Sequence, residues 1–169
     1  MSISRKARLF WPLAFVLVLT DCTTKELAVE RLTPAHVPHE VIGSVVRLTL
    51  NYNPNAALGI QLGSWTRPVL LGAGLVVLGI LLAVYRRAPG ADRKSAIALA
   101  FVVGGAVGNL LDRVRSPQGV VDFIDVGIGS TRFWTFNAAD VFLWIGALLL
   151  AGIHWRSEAS AGDLPRHTG

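Results

Sequence analysis

The chain has 169 residues, of which 52% are hydrophobic, and its mean hydropathy of +0.50 is high for a soluble protein of this length. A net charge of +5 at pH 7 could indicate a nucleic-acid partner, but the sixteen lysines and arginines are divided among short segments between apolar runs. That distribution argues against nucleic-acid binding and is typical of a membrane protein. The single cysteine, Cys22, excludes an intramolecular disulfide and a metal site built from cysteines.

Four apolar segments approach the roughly 20 residues that a helix needs to cross a bilayer. We predict membrane spans at residues 9–28, 69–85, 95–111 and 138–155. Basic residues precede the first span, link the second to the third and follow the fourth: Arg5, Lys6, Arg8, Arg86, Arg87, Arg93, Lys94 and Arg156. Because lysine and arginine favour cytoplasmic segments, we expect both termini in the cytoplasm and the other two connections outside.

The outer end of the first span carries an acid and a base, Asp21 and Lys25. They are four residues apart, so they share one helix face in the favourable order for an ion pair. An interfacial salt bridge and an active role explain them equally well. The segment before Cys22 is similar to a lipoprotein signal, but Asp21 stands where a small residue would be required. We therefore predict a retained membrane anchor.

Three segments outside the spans have the character of strands. Residues 46–53 alternate apolar and polar side chains and end at the turn Asn53-Pro54-Asn55, while residues 119–126 and 131–136 are rich in Val, Ile, Phe and Trp. The predicted fold class is therefore an all-α membrane protein, with four transmembrane helices and a small extracytoplasmic β-sheet. His36 and His39, in the preceding loop, lack the further ligands that a metal site requires.

The third predicted span carries two patterns. Gly104 and Gly108 have the spacing that lets another helix approach closely. A second set shares one helix face toward the outer end: Gly105, Asn109, Asp112 and Arg113. A packing seam with a polar cap is the alternative to a functional site, although a cap does not require an asparagine one turn deeper.

Two further acids, Asp122 and Asp140, lie before and at the start of the fourth span. Asn137 and Asp140 suit the first turn of a helix, so helix capping alone explains both of them. Asp122 lies within an apolar strand, which leaves it either turned to solvent or held against a partner. After the span, residues 157–169 are polar and are predicted to form a disordered cytoplasmic tail.

Five sequence blocks together resemble the lipoprotein signal peptidases of bacteria. They are Asp21-x-x-x-Lys25, Asn53-x-x-Ala56-Ala57, the run from Gly104 to Arg113, Val120-Val121-Asp122-Phe123 and Phe136-Asn137-Ala138-Ala139-Asp140. The resemblance covers residues 10–155 and implies one membrane-embedded peptidase domain over residues 1–156. It implies an aspartic endopeptidase that removes signal peptides from diacylglyceryl-modified prolipoproteins by cleaving before the lipidated cysteine.

The resemblance also implies roles for individual residues. The catalytic pair falls on Asp122 and Asp140, and the positions that support the site or bind substrate fall on Asp21, Lys25, Asn53, Gly105, Asn109, Arg113 and Asn137. It implies no cofactor and no metal, a monomer among the lipids of the bacterial inner membrane with its active site at the outer face, and cyclic peptide antibiotics as inhibitors. Asn55, Leu58 and Cys22 depart from the usual Gly, Phe and Gln, which bears on substrate preference and inhibitor sensitivity.

Two neighbouring carboxylates in a poorly hydrated site share one proton, so such a pair can activate a water against a peptide bond. Two other functions compete with this hypothesis. A catalytically altered relative would bind lipidated peptide or an antibiotic without cleaving. A proton-coupled transporter would also carry acids in its spans, but it would place them near the bilayer midplane and often contains a repeat, and the sequence has neither feature.

Overall fold

The structure is a computed structural model that describes residues 4–55, 63–90, 92–129 and 131–162, with side chains through residue 156. Along these residues the elements are α1 (Arg5–Arg31), β1 (His39–Ile42), β2 (Val46–Asn53), α2 (Thr66–Arg87), α3 (Arg93–Arg115), β3 (Val120–Ile128), β4 (Thr131–Phe136) and α4 (Ala138–Gly162). All four helices are long and apolar enough to cross a membrane, which confirms the predicted fold class.

The helices extend beyond the apolar segments that predicted them. The α3 helix continues to Arg115, so Asp112 and Arg113 belong to its last turns. The α4 helix continues to Gly162, and the prediction of a disordered tail is therefore wrong for residues 157–162. A polar segment can remain helical when it continues a helix that is already nucleated, because each further residue adds one hydrogen bond. Leu58 and the tail residues 163–169 lie outside the described residues.

The buried face of α1 changes from apolar to ionic along its length. Phe10, Ala14 and Leu17 repeat every three or four residues and pack into the helix bundle, and the same stripe continues as Asp21 and Lys25. The exposed fractions of these two charged side chains are only 0% and 3%. Charged groups this deeply buried require partners, so the end of α1 must meet other polar groups.

The α3 helix lies between α1 and α4, and glycines let both approach. A Cβ atom on Gly104 would lie 2.8 Å from Cβ of Leu17 in α1, and one on Gly108 would collide with the carboxylate of Asp21. On the neighbouring face of α3, a Cβ on Gly105 would collide with the carbonyl oxygen of Ala139 in α4. The glycines therefore set the distances between the three helices that carry the buried polar groups.

We expect Gly105→Ala to lower the stability of the protein by about 2 kcal/mol or more, because the new methyl group forces α3 and α4 apart. Gly79→Ala in α2 is the matched control, since nothing lies within 4 Å of its added Cβ. Better helix propensity should make that variant neutral or stabilising by up to about 1 kcal/mol. Thermal unfolding in detergent compares the two variants, and equal melting temperatures would contradict the packing argument.

The basic segments of the chain meet at one end of the helix bundle. The Lys6 ammonium donates a hydrogen bond to the carbonyl oxygen of Tyr85 at 2.8 Å, at the C-terminal end of α2. The backbone N–H of Lys6 donates to the carbonyl oxygen of Gly90 in the link between α2 and α3 at 3.1 Å. Phe10 stacks on the ring of Tyr85 with their centroids 4.0 Å apart. The start of α1 and the link therefore lie on the same side of the bundle.

The sheet lies at the other end and has the strand order β1-β2-β3-β4, with every neighbouring pair antiparallel. The structure confirms the three predicted strand segments as β2, β3 and β4. It adds β1, whose four residues are all exposed and pair with β2. A small apolar cluster attaches the sheet to the helices: Ala28 of α1, Leu32 at its C-cap, Leu50 of β2 and Val121 of β3. This attachment places the residue after Val121, Asp122, beside the helix ends.

Candidate active site

Asp122 is turned inward and is held by two asparagines. Its side chain is 3% exposed, although it lies on a strand at the membrane end of the sheet. Its Oδ1 accepts a 2.7 Å hydrogen bond from Nδ2 of Asn137, and its Oδ2 accepts a 3.2 Å bond from Nδ2 of Asn53. Of the two alternatives that the strand pattern left open, the structure therefore selects the partnered one.

Asn137 and Asp140 cap α4 in a reciprocal arrangement. The backbone N–H of Asp140 donates to Oδ1 of Asn137 at 3.0 Å, and the backbone N–H of Asn137 donates to Oδ2 of Asp140 at 3.2 Å. The cap leaves the amide NH₂ group of Asn137 free for other acceptors, and it donates to Asp122 and to Oδ1 of Asn109. Asn137 thus caps α4 and also contacts both Asp122 and Asp140.

The Lys25 ammonium joins three acceptors from two helices. Its Nζ lies 2.8 Å from Oδ2 of Asp21, 2.9 Å from Oδ2 of Asp112 and 2.9 Å from Oδ1 of Asn109. These contacts match the three N–H groups of an ammonium. The amide of Asn109 then donates to Oδ1 of Asp140 at 2.8 Å. A continuous chain of hydrogen bonds therefore runs from α1 through α3 to α4.

The two acids that neutralise Lys25 also hold backbone groups beside the aspartates. Asp21 accepts a 2.9 Å hydrogen bond from the backbone N–H of Ala139, the residue before Asp140. Asp112 accepts a 3.1 Å bond from the backbone N–H of Val121, the residue before Asp122. The ion pair thus fixes the positions of both chain segments that carry the aspartates.

The remaining residues of the prediction surround this network. Asn53 donates to Asp122 and accepts a hydrogen bond from the backbone N–H of Asn55 at 3.0 Å. The turn therefore forms although Asn55 replaces the usual glycine. Arg113 lies close enough to attract Asp122 and Asp140, while its Nη1 donates to the carbonyl oxygen of Asn109 at 3.1 Å. Gly105 acts through packing, since it lets the start of α4 approach α3.

The structure therefore brings the nine predicted site residues to one end of the helices. No individual role was predicted for Asp112, although its spacing from Asn109 places both residues on one helix face. Cys22 does not enter the network and instead lines a neighbouring cavity. His39 begins the exposed strand β1.

The environment of Asp122 favours its protonated form. Burial is the largest cause that raises the pKa of this carboxyl from its usual 3.8 to about 6, and the negative charge of Asp140 acts in the same direction. The hydrogen bonds from Asn53 and Asn137 oppose the rise. A carboxyl whose pKa is raised to about 6 beside a second carboxylate can support acid and base chemistry in one site.

Known proteins with similar sequences identify the family of this chain. The sequence model of the family described as signal peptidase (SPase) II matches residues 13–156. The lipoprotein signal peptidase of Ectopseudomonas mendocina is 39% identical over 164 residues, which cover 95% of this chain and 96% of that protein. The lipoprotein signal peptidase of Anoxybacillus flavithermus is 36% identical over 155 residues, 91% of this chain and 89% of that protein. The chain belongs to the signal peptidase II family.

Solved structures agree with this assignment. A bacterial membrane enzyme solved by the in meso method at 2.3 Å resolution superposes with a TM-score of 0.82 at 26% identity, over 98% of both chains. A second, solved at 1.9 Å resolution, gives a TM-score of 0.76 at 28% identity, over 89% of this chain and 95% of that one. As a signal peptidase II, the chain is a multi-pass membrane protease that removes signal peptides from lipoproteins.

The raised pKa of Asp122 gives the stability of this signal peptidase II a defined pH dependence. Because the folded-state pKa lies above the usual 3.8, the contribution of Asp122 to stability is fully present below about pH 3.8 and is lost as the pH rises through about 6. The difference corresponds to about 3 kcal/mol at high pH. We expect Asp122→Asn to gain stability relative to the native chain as the pH rises from about 4 to about 7, the range over which this contribution is lost. Thermal unfolding across that range measures it, and a pH-independent difference would contradict the shift.

Proposed function

We propose that the chain is an aspartic endopeptidase that cleaves diacylglyceryl-modified prolipoproteins immediately before the lipidated cysteine, with Asp122 and Asp140 as its catalytic pair. The observation that carries this proposal is that one buried residue, Asn137, contacts both carboxylates, and that Asp140 raises the pKa of Asp122. Pairs of carboxylates that share one proton are the chemistry of aspartic peptidases. No metal and no covalent intermediate are required.

Hydrolysis by the pair proceeds through a bound water. The ionised aspartate removes a proton as the water oxygen bonds to the scissile carbonyl carbon, and the protonated aspartate donates to the developing oxyanion. The carbon–nitrogen bond then breaks and a proton passes to the leaving nitrogen. The products are a signal peptide with a free carboxyl group and a lipoprotein with a free amino group on its lipidated cysteine.

The environment of each aspartate suggests how the roles divide. We assign the shared proton in the substrate-free state to Asp122, because burial raises its pKa to about 6. Asp140 then acts as the base, with its carboxylate held by Nδ2 of Asn109 and the backbone N–H of Asn137. Arg113 offers a positive charge to a substrate carbonyl beside the pair, and Asn53 and Gly105 shape the site around it.

The placement of charge supports an orientation in the bacterial inner membrane. The basic start of α1 meets the basic link between α2 and α3 at one end of the bundle, and the positive-inside rule assigns that end to the cytoplasm. Both termini are then cytoplasmic, and the aspartates and the sheet are at the outer face. A diacylglyceryl cysteine is anchored at this surface, so the preceding peptide bond reaches the depth at which the helix ends converge.

The alternative proposal is a relative that binds lipidated peptide or a cyclic peptide antibiotic without cleaving it. Purified native chain incubated with a lipidated prolipoprotein distinguishes the two. We expect release of the signal peptide, a product that begins at the lipidated cysteine, and inhibition by the antibiotic. A substrate lacking the diacylglyceryl group is the control and should remain uncut. Binding of the lipidated substrate without any release would favour the alternative.

A further inference from the structure

The cavity that Cys22 lines lies beside the polar network at the same end of the helices. Its volume is about 430 Å³, within the range of roughly 300–1,000 Å³ that small-molecule sites occupy. It is an open cavity bordered by α1, the C-terminal end of α3 and the segments of β2 and β3 that meet them. Lys25 and Asp112 line it, whereas Asp122 and Asp140 do not. The cavity therefore borders the polar network without reaching the two aspartates.

In the proposed membrane orientation, the cavity lies at the depth of the lipid headgroups. Just below it, the side chains of Phe15, Val16 and Leu19 on α1 are 68%, 53% and 54% exposed, as expected for a surface in contact with acyl chains. Cys22 and Glu30 both line the cavity and are eight residues apart, so it extends about 12 Å along the helix from that apolar surface. This length spans the boundary between hydrocarbon and water.

The walls of the cavity carry charges of both signs. Glu26 and Glu30 lie on α1, and Arg115 lies opposite them at the end of α3 with Gln118 nearby. Among the described residues Glu26 and Arg115 form no ion pair, and the contact of Glu30 with Arg31 is 3.6 Å long between side chains that are 67% and 75% exposed. Within the part of the chain that the structure describes, the one polar contact of the Arg115 side chain is 3.9 Å long, to the sulfur of Cys22. The cavity therefore presents a cation and an anion that are both available to a ligand.

We propose that this cavity binds the headgroup of a phospholipid that carries a phosphate and a primary ammonium, a phosphoethanolamine group. The guanidinium of Arg115 binds the phosphate through charge-assisted hydrogen bonds, with Gln118 as a further donor. The three N–H groups of the ammonium match the carboxylates of Glu26 and Glu30, and the ring of Tyr52 lines the same space. The acyl chains continue down the exposed apolar face of α1. A lipid bound in this way connects α1 to the end of α3.

The proposal predicts selectivity among lipids and among variants. Purified full-length chain, stripped of lipid in detergent, is titrated with dioctanoyl phosphatidylethanolamine, phosphatidylcholine and phosphatidylglycerol and followed by native mass spectrometry and thermal unfolding. We expect phosphatidylethanolamine to bind at least about tenfold more tightly than the other two, because only it satisfies both charges with hydrogen bonds. Arg115→Gln and Glu26→Gln should each weaken its binding about tenfold.

Arg87→Gln is the control, since it removes the same charge at the C-terminal end of α2, at the opposite end of the helix bundle, and should leave this binding unchanged. Equal binding of the three lipids, or equal binding by the variants, would overturn the proposal. Binding of water-soluble glycerophosphoethanolamine as tight as that of the lipid would also overturn it, because the ligand would then be a soluble phosphate compound. A raised KM for prolipoprotein in Arg115→Gln with unchanged lipid binding would instead assign the cavity to the polypeptide substrate.

Discussion

Asp122→Asn and Asp140→Asn are each expected to lower the rate of signal-peptide release by about 10³-fold or more. Either substitution removes one carboxyl from the pair, so the site loses the group that accepts the proton of water or the group that donates to the oxyanion. Asparagine keeps the size of the side chain and part of its hydrogen bonding. The double variant should be no slower than the worse single variant, because the two groups act as a unit. Release is followed with a lipidated prolipoprotein and purified protein in detergent.

Asp125→Asn is the matched control for this prediction. Asp125 lies on the same strand as Asp122 and is also buried, but its carboxylate pairs with Nε of Arg132 at 2.9 Å and not with the polar network. Its loss should reduce stability while leaving the rate per folded molecule within a few-fold of the native value. Unchanged release by either Asp122→Asn or Asp140→Asn would refute the catalytic assignment, and a matching loss in Asp125→Asn would indicate a general structural effect.

Lys25→Met is expected to cost about 3–5 kcal/mol of stability, the typical penalty for removing one partner of a buried ion pair. The ammonium neutralises Asp21, which is fully buried, and Asp112, which is 12% exposed, and without it both carboxylates lack a cation. Methionine fills most of the space, so the loss arises mainly from charge. Thermal unfolding in detergent measures it, with Lys94→Met as the control because Lys94 is exposed at the start of α3.

A double-variant cycle separates charge from packing at Lys25. Adding Asp112→Asn to Lys25→Met removes one of the uncompensated carboxylates, so the pair of changes should cost less than the sum of the single changes. Additive losses would instead indicate that Lys25 contributes through packing alone. Activity should fall in Lys25→Met as well, because Asp21 and Asp112 hold the backbone N–H groups next to the two aspartates.

The helices could be predicted closely from the sequence because apolar length is a local property. The β2, β3 and β4 strands could be predicted for the same reason, since alternation and β-branched residues mark them within a few positions. The β1 strand could not, because its four exposed residues carry no alternation and depend on pairing with β2. The helix over residues 157–162 could not be predicted either, because polar composition indicates disorder and does not show that a preceding helix continues.

The sequence could indicate which residues form the candidate site, but not which of them contact each other. The spacing of Asp21 and Lys25 correctly gave one helix face, but only the packing of α1 on α3 determines that Asp112 and Asn109 complete the ammonium shell. For Asn137 the sequence suggested a cap, and the structure retains the cap while directing the amide toward Asp122. Which polar groups face each other is decided by tertiary packing, which no single segment encodes.

The two aspartates are carried by different parts of the molecule, Asp140 by a helix in the membrane and Asp122 by a strand of the sheet outside it. Their separation therefore depends on how the tilt of α4 relates to the position of the sheet above the lipid. Helices adjust their tilt when the thickness of the bilayer changes. Lipid composition could in this way tune the rate of peptide-bond cleavage through geometry alone, without any molecule occupying the site.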